Sequence, residues 1–202
     1  AKIVNYDASG ASNHVLLVAD SGDSNEEFDF ESFSHDLRSA IPQNLIVSEI
    51  DRGQMDSARA QTELMASLYR GQKVVNYVGH GNVDQWRASL LTSADARGLE
   101  NSVHLPLFVS MTCLNGYFQD GAVESLAESL LKAERGGAIA VWASSGMTGA
   151  VSQSVMNQEM FRLVLDGSMT LGEATLKAKA TVLDPDFRRT WILFGDPTTR
   201  LR

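Results

Sequence analysis

Six short apolar runs rich in β-branched residues are spaced along the chain, at Val15 to Ala19, Leu45 to Ile50, Val74 to Val78, Leu105 to Ser110, Ala138 to Ala143 and Trp191 to Phe194. Their apolarity is continuous rather than alternating, which predicts strands buried on both faces, as in a mostly parallel sheet. Between them, apolar and small residues recur at helical spacing: Phe33, Leu37 and Ile41; Ala60, Leu64, Ser67 and Leu68; Val123, Leu126, Ala127, Leu130 and Leu131; Val155, Met160, Phe161, Val164 and Leu165; and a last stretch from Leu171 to Leu183. Strand followed by helix, repeated, predicts an α/β fold in which helices flank the sheet. Helix punctuation agrees. Asp56 or Ser57 caps the second helix and Gly71 ends it, while Thr170 with Glu173 forms a capping box.

Composition narrows the function classes. A chain of 202 residues with 44% hydrophobic and 21% charged residues has the size and mix of one globular domain, which excludes disorder, collagen and coiled coil. No linker or internal repeat divides it, so residues 1–202 are read as one domain. Its one cysteine rules out an intramolecular disulfide. The net charge is −8, and the basic residues are scattered singly apart from Arg188-Arg189, so a nucleic-acid partner is not expected. The longest apolar runs hold about six residues against the ~20 needed to cross a bilayer, so no membrane insertion is expected. The chain does not begin with Met, which suggests a domain processed or cut from a longer protein with flanking domains.

Candidate chemistry gathers at strand ends. Cys113 follows the fourth apolar run and precedes the turn dipeptide Asn115-Gly116. A free cysteine by itself more often fills space than reacts, and a nucleophilic thiol needs a neighbouring base and oxyanion donors. Of the four histidines, His14, His35 and His104 read as structural or solvated. His80 differs, because the third run delivers it between Gly79 and Gly81, where the backbone can come close to a ligand. If the third and fourth strands are neighbours, both side chains emerge at one edge of the sheet. The stretch from Asp20 to Glu31 holds three Asp and three Glu directly after the first strand. It reads as a solvated acidic loop, or as a site for a cation or a basic side chain at the carboxyl end of a strand.

Taken in order, Asn76-Tyr77-Val78-Gly79-His80-Gly81-Asn82 with Trp86, then Leu105-Pro106-Leu107-Phe108 leading to Thr112-Cys113-Leu114-Asn115-Gly116-Tyr117-Phe118, resemble the gingipain-type cysteine peptidases of family C25. The resemblance continues through Glu128, Gly136-Gly137-Ala138-Ile139-Ala140-Val141-Trp142-Ala143-Ser144 and Leu171-Gly172-Glu173-Ala174, and closes at Phe194-Gly195-Asp196-Pro197. It implies the fold shared with caspases and legumain, a three-layer α/β sandwich around a mainly parallel six-stranded sheet flanked by helices. It also implies a nucleophile at Cys113, a proton donor and acceptor at His80, oxyanion donors in the N–H groups of Gly81 and Cys113, and an acid at Asp20 that orients the histidine.

For substrate binding the resemblance implies a carboxylate that would select a basic residue before the scissile bond. Ser32 stands where that acid is expected, which leaves Glu31 or Asp29 to substitute. Trp142, Ser144, Ser145 and Met147 would line the pocket wall after the fifth strand. The substrate would be a peptide or protein, no cofactor is required for the chemistry, and the acidic stretch leaves room for a structural calcium ion. A bacterial secreted or cell-surface location is implied in the same way. Two other readings share these residues: a catalytically silent domain that binds a peptide or partner, and a sorting transpeptidase in which an amine resolves the thioester.

Overall fold

The six predicted strands form one sheet in the computed structural model, which describes residues 2–6, 10–22, 28–165 and 167–202. They are β1 (His14–Ala19), β2 (Ile46–Asp51), β3 (Val74–Val78), β4 (Leu107–Met111), β5 (Ala140–Ser144) and β6 (Trp191–Phe194). The strand order is β2-β1-β3-β4-β5-β6, and every neighbouring pair is parallel except β5 with β6. The bounds of β3 and β6 are those predicted, and the others shift by one or two residues. β4 begins at Leu107 because Pro106 has no N–H to give a ladder; the Leu107 N–H donates to the Lys73 carbonyl at 3.1 Å. β3, β4 and β5 are buried throughout, whereas β2, at the sheet edge, is half-exposed.

Helices cover both faces. They are α1 (Lys2–Asn5), α2 (Phe30–Arg38), α3 (Ser57–Arg70), α4 (Ser93–Gly98), α5 (Leu126–Lys132), α6 (Ala150–Val164), α7 (Leu171–Ala180) and α8 (Pro185–Thr190). One apolar layer packs Val15, Leu17, Val109 and Trp142 of the sheet against Leu37 of α2, Met160 and Phe161 of α6 and Ala174 of α7. The other packs Leu16, Val18, Phe108 and Val141 against Leu64 and Leu68 of α3, Ala96 of α4 and Leu130 of α5. This is the three-layer sandwich expected. Asp56 caps α3, Gly71 ends it at φ 93°, and the Thr170–Glu173 capping box opens α7. The short helices α1, α4 and α8 were not expected, since so few residues carry no readable period. Val123 and Val155, placed on helical stripes by their spacing, are exposed.

One buried polar link crosses between sheet and helix layer. The side-chain amides of Asn76 on β3 and Asn157 on α6 donate to each other's oxygens at 3.0 and 3.2 Å, and Asn76 also donates to the Val109 carbonyl at 3.3 Å. Truncating one partner strands the other in an apolar layer. Asn157→Leu is expected to destabilise the fold by about 2 kcal/mol in urea unfolding, and Asn76→Leu on top of it to cost much less than it does alone. Additive losses would show that the two amides do not act as a pair.

Candidate active site

The β3–β4 ladder places the two candidate reacting groups side by side. Val74 pairs with Leu107 and Val78 with Met111, a constant offset of 33 residues. His80 and Cys113 carry the same offset, each two residues beyond the last pair, so both leave the sheet at its carboxyl rim on adjacent strands. They also address the same layer. The His80 ring meets Phe30, the first residue of α2, edge to face with centroids 5.1 Å apart, and the Cys113 thiol donates to the carbonyl of Thr148, just ahead of α6, at 3.7 Å. His80 is exposed and Cys113 half-buried, so neither residue is sealed in the core.

The backbone of His80 is gripped from both ends. Its N–H donates to Asp20 Oδ2 at 3.2 Å, and its carbonyl accepts from the Tyr77 hydroxyl at 2.7 Å and from the Arg87 N–H at 2.9 Å. Tyr77 is fixed in turn by stacking on Trp86, centroids 4.2 Å apart. Asp20 is almost completely buried at the end of β1; it also accepts the Ser21 N–H at 2.9 Å and lies 3.7 Å from Arg87 Nη1. Burial raises its carboxyl above the ordinary carboxylate range, against the pull of the His80 and Ser21 N–H groups and the charges of Arg87 and His80. Asp20 thus reaches His80 through the main chain. Gly79 makes this possible, because a Cβ there would collide with the Asp20 side chain and the Tyr77 ring.

Cys113 sits at a sharp exit from β4. Leu114 takes the left-handed conformation at φ 62°, which turns the chain so that the Leu114 N–H donates to the Gly146 carbonyl at 3.2 Å and the Gly116 N–H to the Ser144 carbonyl at 2.8 Å. Asn115, fully buried, donates to the carbonyls of Asn82 and Gln85 at 2.6 and 3.3 Å, tying the cysteine turn to the histidine loop. Gly81 fits between them: a Cβ would stand 2.7 Å from Thr112 Oγ1 and 3.1 Å from the Gln85 carbonyl. Among the described residues, neither the Gly81 N–H nor the Cys113 N–H donates to any acceptor. Beside them a pocket of about 260 Å³ opens between His80, Gly81, Asn82 and Gln85, over Trp86.

The expected substrate-binding residues fare differently. The turn from Ser144 to Thr148 does flank Cys113, but the Ser144 hydroxyl is buried and donates to the Gly146 carbonyl at 3.0 Å, and the Ser145 hydroxyl donates to the Thr190 carbonyl at 2.9 Å. Both build the turn rather than offer a contact. Met147, 76% exposed, is the side chain that turn presents outward. Trp142 needs correction: it is 0% exposed and packed against Trp191 with centroids 5.1 Å apart, because its position on a central strand points it into the helix layer. Asp29 and Glu31 already hold other partners. Asp29 caps α2, accepting from Ser32 N–H at 3.0 Å and Ser32 Oγ at 2.7 Å, and Glu31 accepts from Gly53 N–H at 2.7 Å and Gln54 at 3.3 Å, across β2 rather than β3 and β4.

Residues 23–27 of the acidic stretch, on which part of the calcium expectation falls, lie outside the described residues. The described acids of that stretch, Asp20, Asp29 and Glu31, are committed to three separate sets of donors and do not converge. Among the described residues no group of three or more His, Cys, Asp and Glu side chains gathers to hold a metal ion. Tyr77, Arg87 and Phe30 were not foreseen at the site. Arg87, adjacent to Trp86 in the chain, carries no local signal, since what it touches is decided by the sheet order.

The family model for peptidase family C25 matches residues 1–202. Gingipain R2 and gingipain R1 of Porphyromonas gingivalis are each 28% identical to the chain over 65% of its length, and the match covers 20% and 15% of those proteins. A crystal structure of the Arg-specific cysteine proteinase gingipain R superposes with a TM-score of 0.82 at 20% identity, covering 100% of this chain and 51% of that one. The Drosophila initiator caspase Dronc shares the fold more distantly, with a TM-score of 0.50 at 10% identity over 96% of this chain and 84% of that one. The chain therefore spans a fifth or less of the curated relatives and about half of the gingipain structure. With a family model matched from end to end and a gingipain and caspase fold, the chain belongs to peptidase family C25.

Proposed function

We propose that this domain is a cysteine endopeptidase whose nucleophile is Cys113 and whose proton donor and acceptor is His80. The observation that carries this is the shared offset of the two residues on adjacent parallel strands, which brings both to one rim and one face. In the reaction the Cys113 sulfur, its proton taken up by His80, adds to the scissile carbonyl. The Gly81 and Cys113 N–H groups, which have no acceptor of their own among the described residues, stabilise the oxyanion. The C–N bond then breaks, His80 protonates the departing amine, and water resolves the thioester to release the acid and restore the thiol. A half-buried Cys113 beside an exposed His80 on the adjacent strand favours catalysis over a silent binding domain.

The test is labelling by a peptidyl acyloxymethyl ketone together with turnover of fluorogenic peptides carrying Arg, Lys, Asp, Asn or Leu before the scissile bond. Labelling lost in His80→Ala, and turnover of at least one peptide, are the expected results; an unlabelled wild-type thiol with no turnover ends the reading. Gly81→Ala is expected to lower kcat by about a hundredfold, since the new methyl meets buried Thr112 and the Gln85 backbone and so moves an oxyanion donor. Selectivity for a basic residue, whatever its strength, is not expected to come from Glu31. Glu31→Gln should leave the ratio of kcat/KM for the Arg and Leu peptides within about twofold; a fall of an order of magnitude would place that carboxylate in the binding pocket after all.

A further inference from the structure

Arg87 lies where the two supports of His80 meet. From its main chain it donates to the His80 carbonyl at 2.9 Å, and from its guanidinium it donates to the Ser21 carbonyl at 3.3 Å while facing Asp20 Oδ2 at 3.7 Å. One residue thus closes a ring from Asp20 through the His80 peptide and back. The two residues after it, Ala88 and Ser89, both hold left-handed backbone at φ 55°, a conformation costly for non-glycine residues that folds the chain back over the histidine loop. Such strain is retained where the surroundings impose it.

We propose that Arg87 is a positioning residue for the peptidase reaction, holding the imidazole-bearing peptide in register with Cys113 by clasping the His80 carbonyl from its main chain while its guanidinium keeps Asp20 docked against the His80 N–H. This rests on the peptidase reading above. Among the described residues the charged and titratable groups around Asp20 are Arg87, His80, the Tyr77 phenol on the same His80 carbonyl, and Arg52, whose N–H donates to the Ala19 carbonyl. Burial already raises the Asp20 carboxyl, and the Arg87 charge is one of the forces opposing that rise. Removing the charge lets Asp20 take up a proton at higher pH. A neutral carboxyl accepts the His80 N–H more weakly.

The experiment compares wild type, Arg87→Gln and Arg87→Lys by pH–rate profiles, and follows Asp20 by carbon-13 carboxyl titration. In Arg87→Gln, kcat is expected to fall about tenfold with KM within about twofold. The acid limb of the kcat profile and the Asp20 titration should both move to higher pH. Arg87→Lys should return both toward wild type. An Asp20 titration unmoved in Arg87→Gln, an acid limb that the lysine variant fails to restore, or a loss carried by KM would each overturn the assignment. Absence of turnover in the wild type would instead defeat the peptidase reading, and the carboxyl titration would still report on Arg87.

Discussion

Cys113→Ala is expected to remove peptide turnover by at least about 10⁴-fold, because the covalent route disappears and only the oxyanion donors and binding contacts remain. The fold should hardly notice. Cys113 is half-buried and, among the described residues, its thiol makes only a long 3.7 Å sulfur contact to the Thr148 carbonyl, so the methyl of alanine leaves the turn at Leu114 intact. The measurement is single-turnover hydrolysis of the best peptide of the panel, with thermal unfolding as the control for folding. Unchanged melting with turnover gone locates the chemistry at the sulfur. Residual turnover within tenfold of wild type would mean that another group does the work.

The largest effect on stability is expected from Gly137→Ala. Gly137 lies between α5 and β5 at φ 84°, and a Cβ there would collide with the Leu130 carbonyl. That carbonyl cannot withdraw easily, since it accepts from the Ala138 N–H at 3.0 Å and from Lys2 Nζ at 3.1 Å. Nor can Gly137, whose N–H and carbonyl are both held by the buried Asn101 side chain at 2.7 and 3.1 Å. Left-handed strain and steric overlap together should cost about 3 kcal/mol or more, lowering the melting temperature by about 10 °C for a chain of this size. Gly98→Ala supplies the comparison, because a Cβ there meets nothing within 4 Å; it should stay within about 0.5 kcal/mol of wild type. Equal stability of the two variants would show that the α5–β5 connection adapts where the packing says it cannot.

The parts legible in the sequence are those whose physics is local. Continuous apolarity announced β3 and β6 to the residue, and the glycines around His80 marked a loop where backbone approaches something closely. Cys113 was legible as the end of a buried strand. What escaped depends on neighbours far along the chain. Trp142 lies on a strand leading to the site and yet faces the core, because alternation along a strand, not proximity to its end, decides where a side chain points. Glu31 and Asp29 are acidic and near the site in sequence, but a helix terminus and the Gly53 N–H hold them. Arg87 and Tyr77 acquire their roles through the strand order β1-β3-β4, which no local window contains. Even α8 had a readable start, Asp184 capping a turn with Pro185 in it, hidden by its brevity.

The lateral matching of His80 to Cys113 has an evolutionary reading. Alignment of the proposed reacting atoms is set by which residues pair across the ladder and by the grip on residues 80–87, so the rest of the connecting path from β3 to β4, beyond α4, needs only to arrive. Inserted residues near the exposed Ser102 should change loop-closure entropy slowly, by roughly 0.6 kcal/mol per doubling of length, and leave the chemistry untouched. A slip of β4 by one residue against β3 would instead carry the sulfur about 3.3 Å along the strand and onto the opposite face. The segment from α4 to β4 can therefore lengthen at little cost, while pairing between the two central strands and the loop that grips His80 are the parts that cannot shift.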